Sequence, residues 1–210
     1  MGLRELELAF ATRVLCDVRA PRLDLAYLFA QTSDNERSVF AAGAHLYRHN
    51  PGLNIGLCGS ENTNHGYPGL GAWRDKLFSQ PYEINAQCII PIPHPNAPNT
   101  LSEAETLVNY AKENGTTHLG IVAPPFHLPR AFITIVTVVR DKYQKLKIYN
   151  VVGTALPWDE VVRHSQGVTT GKRSELISWE WERIRKYQKE GDRLLCSVDD
   201  ALDYLNTRDR

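Results

Sequence analysis

The sequence predicts an α/β fold: a three-layer sandwich in which a mostly parallel sheet of about five strands is covered by helices on both faces. Three observations carry this. Short continuous apolar runs at 25–30, 53–58, 86–91, 118–123 and 147–153 have the character of strands buried on both faces. The stretches between them show helical spacing or helix stop signals. Crossovers of helical length then make successive strands parallel and place the helices over the sheet.

Each element has its own justification. Residues 1–18 mix Arg4, Glu5, Glu7 and Arg13 with apolar positions, which suits an amphipathic helix and lacks the uncharged core of a signal peptide or membrane span. Cytoplasmic residence is the resulting expectation. After Asp24 and the first strand, Phe40, Ala41, Ala44 and Tyr47 recur at helical spacing until Asn50, Pro51 and Gly52 end the helix. The second strand runs into a Gly-, Asn- and Pro-rich loop over 59–71, longer than a passive connection needs. A short helix is expected over 73–78, and a proline-rich turn over 91–98 follows the third strand.

Thr100 and Glu103 read as a T-x-x-E capping box, with Leu101, Ala104, Leu107, Val108 and Ala111 on one helix face and Gly115 as the stop. After the fourth strand, Pro129 suits the first turn of a helix, because its missing N–H would have no partner there. That helix is expected to reach about Tyr143. Beyond 154 the pattern reads as helical, with Leu176, Ile177, Trp179, Trp181 and Ile184 in one helix over 174–189 and a final helix over 198–205. The chain is read as a single domain over 1–210, with its core at 23–153 and a C-terminal helical extension at 154–210.

Composition narrows the function classes. Lys and Arg number 24, as do Asp and Glu, so no global field recruits nucleic acid or an anionic membrane, and neither is expected as a partner. Cys16, Cys58, Cys88 and Cys196 form no C-x-x-C pair and read as buried reduced thiols. His45 and His49 are spaced to share a metal on a helix face, but Glu does not follow His45 and no third ligand is evident, so no metal is expected. Neither G-x-G-x-x-G nor G-x-x-x-x-G-K-S/T occurs, and Ser60 lacks a G-x-S-x-G elbow.

The candidate site lies at the carboxyl ends of the strands. His127 and Arg130 follow the fourth strand at a helix start, where backbone amides converge on bound anions. Arg130 offers a planar fork for a carboxylate or phosphate, and His127 can move a proton near neutral pH, which makes the two the catalytic candidates. Arg130→Ala is expected to abolish ligand binding and leave the fold intact. Asn99, Thr100 and Glu103 open the helix after the third strand at the same sheet end, serving as caps, ligand contacts or both. Gly59, Ser60, Glu61 and His65, in the loop after the second strand, complete the ligand-binding candidates.

The order of these features resembles the YdcF-like family, which also includes SanA and ElyC. Asp24 before an apolar strand, Gly59 and Ser60 ending the second, Asn99, Thr100 and Glu103 opening a helix, and Phe126, His127, Leu128, Pro129, Arg130 and Ala131 after a later strand carry the resemblance, over roughly 23–153. It implies a soluble member, a Rossmann-like domain with a ligand crevice at the carboxyl ends of its strands. Gln31 and Thr32 depart from the family's glycine-containing turn, and Gly59-Ser60 replaces its double glycine.

Two functions are expected from this. The first is binding of an anionic metabolite bearing a phosphate, carboxylate or nucleotide, such as S-adenosylmethionine. An enzyme would here act as a transferase or hydrolase, with His127 as acid or base and Arg130 as anion clamp. The second is a non-enzymatic scaffold that docks a partner through the Trp-bearing C-terminal helix. A homodimer is compatible with both.

Overall fold

The computed structural model describes residues 4–63, 66–94, 96–163, 169–190 and 194–210. Its centre is a wholly parallel five-stranded sheet of β1 (Leu25–Leu28), β2 (Asn54–Cys58), β3 (Ile89–Ile92), β4 (His118–Ala123) and β5 (Lys147–Val152), in the spatial order β3-β2-β1-β4-β5. The chain winds outward from β1 to β3 and then returns to lay β4 on the other side of β1. The winding direction therefore reverses between β1 and β4. Their carboxyl ends flank the point where the covering helices diverge and leave a crevice.

Period-two alternation feeds both faces. Leu25, Tyr27 and Phe29 pack with Phe10, Leu107, Phe132 and Val136 on one side, whereas Ala26, Leu28 and Ala30 pack with Phe40, Ala44, Trp73 and Leu77 on the other. The first side is covered by α1 (Glu5–Leu15), α4 (Thr100–Glu113), α5 (Leu128–Lys142), α6 (Leu176–Tyr187) and α7 (Val198–Arg208). The second is covered by α2 (Glu36–His49) and α3 (Leu70–Phe78). Helix α5 touches α1, α4, α6 and α7 as well as the sheet, which explains why its residues from Leu128 to Val136 are all buried. A helix apolar nearly all round belongs in a core.

Several sequence expectations are corrected here. The third strand begins at Ile89, because Asn85 accepts a hydrogen bond from the Gln87 amide at 3.0 Å and winds Ala86–Cys88 into a 3-10 turn. The box that opens α4 sits one residue earlier than Thr100 and Glu103. Asn99 is the N-cap, its Oδ1 accepting from the amides of Leu101 and Ser102, and Ser102 returns its hydroxyl to the Asn99 amide. Asparagine is the stronger cap, so Thr100 and Glu103 are released for other contacts.

The extension is not wholly helical either: β6 (Val161–Arg163) and β7 (Thr170–Lys172) form an antiparallel pair before α6. All four thiols are free, but only Cys58 is buried; Cys88 and Cys196 are half-buried and Cys16 is exposed. The His45 and His49 rings lie 4.2 Å apart, tilted by 31°, and no metal-holding group of side chains occurs among the described residues. No helix among them is long and apolar enough to cross a membrane.

Candidate functional site

β4 ends at Ala123, and the turn that follows delivers His127 as the N-cap residue of α5, with the amides of His127 and Leu128 both donating to the Pro124 carbonyl. The imidazole makes no capping bond. It stands edge-on to Phe29, the residue just past β1, with ring centroids 6.2 Å apart. His127 thus spans the carboxyl ends of β1 and β4, at the switch point itself.

Arg130 lies one turn further along α5 and is buried. Its Nε and Nη2 engage the two carboxylate oxygens of Glu180 on α6, the second at 3.3 Å, and its Nη1 donates to Thr100 Oγ1 at 2.7 Å. The Glu180 side chain is only 1 % exposed, so this forked pair is shut away from water. His127 Nδ1 lies 3.3 Å from both Arg130 Nη2 and Glu180 Oε2. A carboxylate is the better neighbour for an N–H than a guanidinium, so we assign the imidazole proton to Nδ1, facing Glu180. Arg130 therefore meets an internal carboxylate where the sequence anticipates an anion clamp.

Glu180 was not among the expected residues. Its signal was there to read: it falls four residues after Leu176 and four before Ile184, on the same buried helix face. A charge on an apolar stripe needs a buried partner.

Glu103 faces the same cluster from α4. Its Oε1 accepts from the Tyr27 hydroxyl and from the Ala30 amide, each at 2.9 Å. Burial pushes its carboxyl up to about 7, outweighing the two hydrogen bonds and the Arg130 charge, which pull the other way. Ala30, Tyr67, Asn99, Thr100, Glu103 and His127 enclose a void of about 10 Å³. That is room for a single water or one ligand oxygen.

Of the second-strand loop, Tyr67 joins this group but Gly59, Ser60 and Glu61 do not. The Gly59 amide donates to the Ile92 carbonyl at 2.8 Å, and a Cβ on Gly59 would stand 2.6 Å from that oxygen. Close strand packing explains this glycine without a ligand. Ser60 Oγ accepts from the Asn62 amide, and Glu61 accepts from the Gly71 amide at 2.9 Å, placing a carboxylate at the start of α3. None of the three lines the void. His65 lies outside the described residues.

The extension covers the crevice. Buried Arg173 donates to Asn35 Oδ1 at 3.0 Å and to the Asp34 carbonyl at 3.1 Å, and the Arg163 carbonyl accepts from Thr32 and Asn35. A groove of about 670 Å³ opens beside this β1–α2 loop, lined by Asp34, Glu36, Arg37, Lys76 and Glu160 among others. It is of ligand size. Its charges, however, are largely paired within the protein, Lys76 with Glu36, Arg163 with Asp34 and Arg173 with Glu160. Glu103, His127 and the Thr100 hydroxyl meet instead in the buried cluster.

No protein-family model matches this chain, and no curated protein matches it.

Proposed function

We propose that this chain binds an anionic metabolite at the cluster of His127, Thr100, Asn99 and Glu103 and acts on it as a transferase or hydrolase. The observation that carries the reading is the burial of His127, Thr100 and Glu103 at the β1–β4 switch point. Buried ion pairs contribute little net stability against apolar packing, so a fold has small thermodynamic reason to keep one where ligands bind. The residues that carry the YdcF-like resemblance also support it, since Asn99, Thr100, Glu103, His127 and Arg130 come from two separate segments and meet here.

In this reading His127 is the acid or base, and one anionic oxygen of the ligand takes the void. Arg130 is a positioning residue and a source of positive potential: held by Glu180, it donates to Thr100, and Glu180 in turn faces the Nδ1–H of His127. A nucleotide-like ligand such as S-adenosylmethionine is far larger than the void, so only one of its oxygens would enter it. Cytoplasmic residence belongs to the same proposal. The scaffold alternative draws less support, because Trp181 is buried in the core and Trp179 packs half-buried against Phe126, Val162 and Leu176.

Thermal-shift titrations with inorganic phosphate, a nucleoside monophosphate, a dicarboxylate and S-adenosylmethionine test the reading, because a ligand of the native state raises its apparent stability. At least one anion is expected to raise the melting temperature, with the effect lost in His127→Gln. No shift with any of them overturns the proposal.

A further inference from the structure

Glu103 offers more than a contact. Its Oε1 already takes two donors, the Tyr27 hydroxyl and the Ala30 amide, whereas Oε2 makes no hydrogen bond to any described residue, and Glu103 lines the void together with His127. An oxygen occupied by two donors is a poor place for a proton. When the carboxyl is neutral its proton therefore sits on Oε2.

We propose that Glu103 is a proton-donating residue of this site, passing the proton on Oε2 to a phosphate or carboxylate oxygen of the ligand held in the void. This rests on the reading of the cluster as a ligand site, and it narrows the ligand to one whose oxygen accepts that proton. In the step, the Glu103 O–H bond breaks, a new O–H bond forms on the ligand oxygen, and the electron pair stays on Glu103 as a carboxylate. Two donors on Oε1 and the charge of Arg130 then stabilise that carboxylate. Water returns the proton once the ligand has left.

The surroundings single out this acid. Tyr27 from β1, Cys58 from β2 and Tyr67 from the loop after β2 all face Glu103, and burial pushes each of them up, so they keep their protons at neutral pH. From α5, Arg130 contributes a positive charge, and His127 lines the void beside Glu103 and Tyr67. The same burial pushes Glu103 itself into the neutral range, where a carboxyl can both hold and release a proton.

Infrared difference spectroscopy of the ligand-free protein between about pH 5 and pH 9 reads this directly, since ordinary carboxyls are ionised throughout most of that range. A neutral-carboxyl C=O band is expected to disappear near neutrality in the wild type and to be missing in Glu103→Gln. Tyr27→Phe removes a donor to the carboxylate and is expected to move the midpoint upward. Saturating inorganic phosphate is expected to move it upward too, because an anion in the void disfavours a second negative charge. A band that does not titrate, one that persists in Glu103→Gln, or a midpoint unmoved by Tyr27→Phe or by phosphate overturns the assignment. If the midpoint ignores phosphate while phosphate still raises the melting temperature, only the role of Glu103 fails; if neither responds to any anion, the ligand-site reading fails as well.

Discussion

Arg130 on α5 and Glu180 on α6, 50 residues apart in the chain, meet as a forked guanidinium–carboxylate pair beneath the carboxyl edge of the sheet. Through Thr100 the same guanidinium reaches the start of α4, so one cation ties together the segments that follow β3 and β4 and the C-terminal extension. The pair also flanks His127 Nδ1 and fixes the imidazole against Phe29.

Breaking such a pair from one side leaves an uncompensated buried charge. Arg130→Ala or Glu180→Ala alone is expected to cost about 3–5 kcal/mol, measured by urea unfolding. Arg130→Met with Glu180→Leu, which removes both charges, is expected to cost much less than the two single changes added together. Additive costs would show that the two side chains do not interact. Arg130→Ala is consequently not the fold-neutral probe of ligand binding that the sequence suggests.

Glu103 makes stability depend on pH in a definite direction. Its folded-state pKa lies above the unfolded value, so its contribution is fully present below about pH 4.5 and is lost as pH rises through about 7. Relative to Glu103→Gln, the wild type is expected to lose on the order of 3 kcal/mol across that window and to change little above it. Asp24, Glu7, Asp200 and Asp209 are shifted the opposite way and act only in more acid solution. Unfolding of both proteins at matched pH values provides the check, and a parallel pair of curves would refute it.

Capping and catalysis separate at the start of α4. Asn99→Ala removes the acceptor for the Leu101 and Ser102 amides and is expected to cost about 1 kcal/mol, with Asn99→Ser nearly neutral. Thr100→Val spares the cap but strips Arg130 of a buried partner, and is expected to cost about 1–3 kcal/mol. Chemical denaturation distinguishes them if Asn99→Ser restores what Asn99→Ala loses; equal losses would argue against Asn99 as the cap.

Gly59→Ala should destabilise without touching the site. The added methyl would press on the Ile92 carbonyl, at a cost of about 1–3 kcal/mol in unfolding experiments. Anion binding by the folded variant is expected to be unchanged, since Gly59 does not line the void. A selective loss of binding would return this glycine to the ligand site.

Much of the fold was legible because its signals are local. The strand at His118–Ala123 and the helix at Leu128–Lys142 fall where the apolar run and Pro129 place them. The β6–β7 pair was not legible: each strand has three residues, mostly exposed, too few for alternation to emerge from the polar surroundings. At the site, the positions of His127, Arg130, Asn99 and Thr100 at helix starts could be read from turn and cap chemistry. The true capping register was obscured because Thr100 and Glu103 imitate the box that Asn99 and Ser102 form.

The sequence by itself determined the alternation of strands and helices, the burial of the sheet on both faces, and the arrival of His127 and Arg130 at a helix start after a strand. Periodicity and capping are settled within a turn or two of the chain, so neighbouring residues suffice to specify them. Only the tertiary structure decided that β4 lies beside β1, that Glu180 takes the Arg130 fork, and that Glu103 and His127 line one void. Those outcomes follow from which distant surfaces exclude water together, and from the need of each buried charge for a partner wherever the chain supplies one.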